Sequence, residues 1–65
     1  MTIRKLMSYY EDGYVIIKNS DNEILYNGYY DDIYPYLYHQ QVISITSGLY
    51  FERACIIIYI DYEED

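Results

Sequence analysis

The stretch Arg53-Ala-Cys-Ile-Ile-Ile-Tyr-Ile60 carries apolar side chains at consecutive positions, so as a strand it is apolar on both faces. Such a strand must be covered on both sides, which places Arg53 to Asp61 centrally in a sheet. The rest of the chain has to supply that cover from only 65 residues. That length makes one domain, with a core worth only about 3–5 kcal/mol of net stability. Residues 1–61 are read as the domain and residues 62–65 as an acidic C-terminal tail.

The other elements follow from local patterns. Ile3, Leu6, Met7 and Tyr10 recur at i, i+3, i+4 and i+7, one face of a helix. Thr2 can cap its start and Asp12-Gly13 its end, which predicts a helix over Thr2 to Glu11. Tyr14 to Asn19 is rich in β-branched and aromatic residues and reads as a strand. Ser20-Asp21-Asn22 is turn chemistry, and Ile24 to Tyr29 completes a hairpin, with Gly28 marking a bulge or a close backbone approach. Asp31-Asp32 opens a short second helix near Asp32 to Tyr38, with Ile33, Tyr36 and Leu37 on one stripe and Pro35 confined to its first turn. Val42 to Thr46 alternates as a third strand, Ser47-Gly48 turns, and Leu49 to Glu52 is an irregular connection. The expected fold is α+β: α-β-β-α-β-β, a four-stranded mainly antiparallel sheet with helices on one face. Leu6, Ile3, Val15 or Ile16, Ile24, Ile45, Ile56 and Ile58 are its expected core. Cys55 should be a buried, unreactive thiol.

Composition narrows the function. Eleven acidic residues face four basic ones, for a net charge of −7. Such a surface repels phosphate backbones and is drawn to basic proteins, so direct nucleic-acid binding is not expected. The chain is 52% hydrophobic and has twelve tyrosines, whose rings bury area while their hydroxyls stay available to a partner. Met1 to Tyr10 has no continuous apolar core of a secretory leader, and Ala54 to Ile60 is too short to span a bilayer. With its single cysteine the chain is expected in a reducing cytoplasm, without membrane association.

Few constellations point to chemistry. His39 is the only histidine, and pairing it with a serine or Cys55 needs a geometry the spacing does not specify. Asp21-Asn22-Glu23 resembles the start of a calcium loop, but the sixth position is Tyr26 and the twelfth Asp32, where an EF-hand needs Gly and Glu. A domain this small also has little interior for an enclosed pocket. No enzyme, metal site or cofactor is expected.

The remaining pattern is acids among tyrosines. Tyr9-Tyr10-Glu11-Asp12 and Tyr29-Tyr30-Asp31-Asp32 each set two aromatics before two acids. The candidate partner-binding residues are Glu11, Asp12, Tyr29, Tyr30, Asp31 and Asp32, with Asp21 and Glu23 at the hairpin and Asp61 after the last strand. Carboxylates on ordered backbone can meet Arg and Lys, and tyrosines can exclude water around them.

Asn22-Glu-Ile-Leu-Tyr-Asn-Gly28, Asp32-Ile33, Leu37 and Val42-Ile-Ser-Ile45, with heavy use of Tyr, Ile, Asn and Asp, give the chain a further likeness. It resembles the short acidic proteins of phages and prophages in low-GC Gram-positive bacteria. The resemblance is of type, not of motif, so no functional residue transfers by it. Proteins of that type include anti-CRISPR inhibitors that mimic DNA in charge and block the basic channel of an RNA-guided nuclease. The resemblance implies an inhibitor working in the host bacterial cytoplasm on such a basic host protein. The alternative is an accessory structural phage protein that pairs with itself as a homodimer through a sheet edge.

Overall fold

A computed structural model describes residues 1–10 and 13–62. The chain forms helix α1 (Ile3–Met7), strands β1 (Tyr14–Lys18) and β2 (Ile24–Tyr29), a single 3-10 turn (Pro35–Leu37), and strands β3 (Val42–Tyr50) and β4 (Arg53–Ile60). The four strands make one sheet in the order β2-β1-β4-β3. Both hairpins are antiparallel, and β1 runs parallel to β4 between them, Tyr14 opposite Cys55 through Lys18 opposite Tyr59. The sheet is therefore mixed, and β4 lies in its interior as its double-sided apolar run requires.

Alternation along the strands separates the two faces. Val15, Ile17, Tyr26, Ile58 and Ile60 join Ile3, Met7, Ile33 and Leu37 in the core, with Leu6, Tyr10 and Ile56 packed against it. Ile16 and Cys55 are also buried but lie outside that cluster, on the reverse face that carries no helix. The thiol of Cys55 is thus buried as expected.

Helix α1 is shorter than its periodicity suggests. Its start is fully satisfied: Thr2 Oγ1 accepts from Lys5 N–H at 3.1 Å, while Ile3 and Arg4 N–H donate to the carbonyls of Gln40 and Tyr38. Its end comes at Ser8, whose hydroxyl donates to the Lys5 carbonyl at 2.6 Å while its N–H is shared between the Arg4 and Lys5 carbonyls at 3.2 Å. Tyr9 and Tyr10 continue with tighter bonds to Leu6 and Met7, which keeps Tyr10 on the core side. Glu11, the expected last helical residue, lies outside the described residues.

Three further expectations are corrected. The second helix is a single 3-10 turn, because Pro35 removes a donor and the bonds from Leu37 to Tyr34 and Tyr38 to Pro35 span three residues. Strand β3 runs straight through Ser47-Gly48; a Cβ at Gly48 would sit 2.8 Å from Ile57 Cδ1, so this glycine leaves room for a neighbour instead of making a turn. The chain reverses at Phe51-Glu52, with φ of 49° and 63°, the left-handed pair of a two-residue hairpin turn. Ile24 is exposed because the bulge at Leu25 sets it opposite Lys18 on the reverse face, and Ile45 because the helical cover stops short of the β3 margin. The irregularity in β2 falls at Leu25, and Gly28 supplies close approach: a Cβ there would meet the Tyr26 hydroxyl at 2.6 Å.

Candidate protein-interaction site

The segment from Tyr29 to Leu37 leaves β2, turns, and crosses to the 3-10 turn. Two buried side chains peg it to the core, Ile33 at 3% exposure and Leu37 at 0%. Backbone bonds fix the turn itself: Tyr30 N–H donates to Gly13 O at 3.1 Å and Asp32 N–H to Tyr29 O at 3.2 Å. Tyr26 adds a side-chain brace, its hydroxyl donating to the Tyr29 carbonyl at 2.8 Å. Burial, then the carboxylate of Asp32, then Tyr34, Asp31 and Tyr14 raise the Tyr26 hydroxyl above its ordinary value, so it stays a neutral donor.

Around these two pegs the segment points outward. Asp31, Asp32, Tyr34 and Tyr36 are all exposed, and Tyr29 is exposed beside them. The rings are ordered against each other: Tyr34 stacks on Tyr36 at 5.9 Å and 7°, meets Tyr26 edge-on at 5.1 Å, and Tyr36 reaches Tyr62. Tyr29 lies toward the reverse face, edge-on to Tyr14, where Arg53 sits over the Tyr14 ring and donates to the Tyr29 hydroxyl. Tyr30 turns the other way onto Tyr10 and packs against the core. An open cleft of about 500 Å³ adjoins Asp31, lined by Arg4, Met7, Ser8, Tyr30 and Tyr38 besides it.

The structure divides the sequence-predicted acids. Asp31 and Asp32 stand at one end of the β1–β2 hairpin, beside Tyr29. Asp21 and Glu23 stand at the other end, about 13 Å away along the strand, and Asp61 follows β4 at that same end. There Asn19 organises the turn: its Oδ1 accepts from Asp21 and Glu23 N–H at 3.0 and 2.9 Å, and its Nδ2 donates to Glu23 Oε1. Glu11 and Asp12 lie outside the described residues. Of the four basic side chains, Lys5 lies over Tyr9, Lys18 donates to Asn22, Arg53 engages Tyr14 and Tyr29, and Arg4 lines the cleft beside Asp31.

Tyr34 and Tyr36 are the members that sequence reasoning missed. Tyr36 reads as part of a helical stripe only if the segment is α-helical. With Pro35 starting a 3-10 turn the stripe becomes Ile33 and Leu37, and Tyr36 faces water. The X-Pro pair Tyr34-Pro35 was the available signal, because it disfavours α geometry before the proline.

Among the described residues no helix is long and apolar enough to cross a membrane, and no group of three or more His, Cys, Asp or Glu is placed to hold a metal. No protein-family model matches the chain, and neither a curated protein nor a solved structure shows significant similarity to it.

Proposed function

We propose that this domain is a protein-binding module whose Tyr29–Tyr36 segment meets a basic surface on another protein. The observation that carries the reading is the juxtaposition of two exposed carboxylates with three exposed tyrosines on a segment pegged by Ile33 and Leu37. A partner's Arg or Lys meets Asp31 and Asp32, and the stacked Tyr34 and Tyr36 rings shield those contacts from water. The segment is ordered before binding, so little conformational entropy is lost on contact.

The basic surfaces that suit a −7 domain are those built to hold nucleic acid. The proposed activity is therefore inhibition: the domain occupies such a surface and excludes DNA or RNA by charge and bulk. The likeness to small acidic phage proteins points to an RNA-guided nuclease as the target. The test is a competition assay, in which labelled target DNA is offered to guide-loaded nucleases with and without the domain. Suppression of DNA binding by the native domain, its loss with Asp31→Asn/Asp32→Ser, and its fading as salt rises would support the reading. Undiminished suppression by that variant, or none by the native domain across the nucleases tried, would refute it.

A further inference from the structure

Strand β3 is the outer edge of the sheet, farthest from β2. Of the fifteen charged residues in the chain, none falls in the twelve from Gln40 to Phe51. Natural edges usually carry lysine, proline or an inward charge to prevent pairing, and this one carries none of them. Its apolar side chains stay in water: Ile43 is 58% exposed, Ile45 46% and Leu49 76%, with Phe51 86% exposed at the tip.

The hydrogen-bonding parity of β3 follows from its turn. Tyr50 and Arg53 close a two-residue hairpin, so they bond to each other, and Gly48, Thr46 and Ser44 also turn their backbone groups toward β4. Leu49, Ser47 and Ile45 turn theirs outward. The ladder is irregular between Val42 and Ser44, so regular strand runs from Ser44 to Tyr50, and Ser47 is its midpoint.

We propose that a second copy of this chain pairs with β3, antiparallel, across a twofold axis at Ser47. That register sets Ser47 against Ser47 and Ile45 against Leu49 of the copy, with about six backbone hydrogen bonds from the outward groups. Ile45 and Leu49 lie on the helix-bearing face, so both copies contribute them to one apolar cluster beside the cover, and the exposed Ile43 and Phe51 flank it beyond the regular ladder. Covering these side chains in both copies, with the backbone, removes on the order of 1,000 Å² from water, the lower bound for a specific interface.

Charge selects this occupant. The contact brings no carboxylate against a carboxylate along the strand. Asp31 and Asp32 lie three strands away, roughly 14 Å, beyond a Debye length of about 8 Å. A basic partner finds no acid to meet on β3. The pairing uses a different edge from the Tyr29–Tyr36 surface, and each proposal stands or falls without the other.

Sedimentation velocity from low micromolar to millimolar protein tests it. The native chain should sediment at twice its 7.9 kDa mass, more completely as salt screens the net charge. Ser47→Pro removes an outward N–H without touching the β4 ladder, and should give a folded monomer with an unchanged circular dichroism spectrum. Ile45→Lys and Leu49→Glu should each weaken pairing at least tenfold, and combining them should restore it, since each lysine then faces a glutamate. A native chain that stays monomeric at millimolar concentration would overturn the proposal. So would a folded Ser47→Pro that still pairs, or a folded Ile45→Lys/Leu49→Glu that does not.

Discussion

At the β2 edge the chain sets a bulge at Leu25, a glycine that admits the Tyr26 hydroxyl, and then two acids among tyrosines. At the β3 edge it sets nine strand residues without a charge, followed in the turn by an exposed phenylalanine. Both edges belong to one sheet over one small core, so their difference is not imposed by the fold. The first edge is irregular in backbone and rich in side-chain chemistry, which suits recognition by charge and ring. The second has its own irregularity at Ile43 but runs regularly from Ser44 to Tyr50 and is plain in side chain, which suits strand pairing. Charge repels copies at one edge and is withdrawn at the other.

The sharpest way to test that division is across the β3–β4 ladder, where Ile45 and Ile58 are direct partners on one face. Ile58 is 0% exposed and Ile45 46% exposed. Ile58→Ala should cost about 2–5 kcal/mol, enough to unfold a domain of this size at room temperature. Ile45→Ala should cost less than about 1 kcal/mol in the monomer, and denaturant unfolding at low concentration measures both. Equal costs would mean that the cover extends over β3 and that this edge is not free.

The turn at the end of β3 should yield a gain. Phe51 and Glu52 hold left-handed φ angles that cost a non-glycine residue about 1–2 kcal/mol each. Phe51→Asn/Glu52→Gly supplies the residues such a turn favours, and should stabilise the monomer by roughly 1–2 kcal/mol with a Tm rise of several degrees. An unchanged or lower Tm would show that the turn is not strained.

At the opposite edge Tyr26→Phe removes the brace on Tyr29 and should cost about 0.5–1.5 kcal/mol at neutral pH. Its pH dependence has a definite sign. Tyr26 holds its proton more tightly folded than unfolded, so its contribution is fully present below the ordinary value of 10.0 and is lost as pH rises through the raised one. The stability gap between native protein and Tyr26→Phe should therefore close above about pH 10. A gap that is constant with pH would mean that the hydroxyl is not in the buried bond. The smallest effect on stability is expected from Asp31→Asn/Asp32→Ser, within about 0.5 kcal/mol, because both acids are exposed.

The parts of this fold legible in the sequence are those fixed by short-range chemistry. Thr2 as a cap, the Asn19–Glu23 turn, β2 from Ile24 to Tyr29 and the interior place of β4 all follow from residue type and alternation. What escaped depends on distant neighbours. Ser47-Gly48 has turn composition, yet pairing with Ala54 to Ile57 holds it extended and moves the reversal to Phe51-Glu52, which carries no turn signature. The β1–β4 pairing joins segments some forty residues apart, and no local pattern encodes it. Ile24 and Ile45 have core composition, but the bulge at Leu25 turns Ile24 to the reverse face and a core this small does not reach Ile45 at the sheet margin. For the candidate site, Asp31, Asp32 and Tyr29 were legible as an acid–tyrosine run, whereas Tyr34 and Tyr36 needed the 3-10 geometry.

Amide NMR on the isotope-labelled domain, titrated at low salt with a guide-loaded RNA-guided nuclease, addresses the division of labour most directly. Signals of Tyr29, Asp31, Asp32, Tyr34 and Tyr36 should broaden first, those of Ser44 to Leu49 should remain, and raising the salt should reverse the change. Broadening along Ser44 to Leu49 with the Tyr29–Tyr36 signals untouched would contradict it.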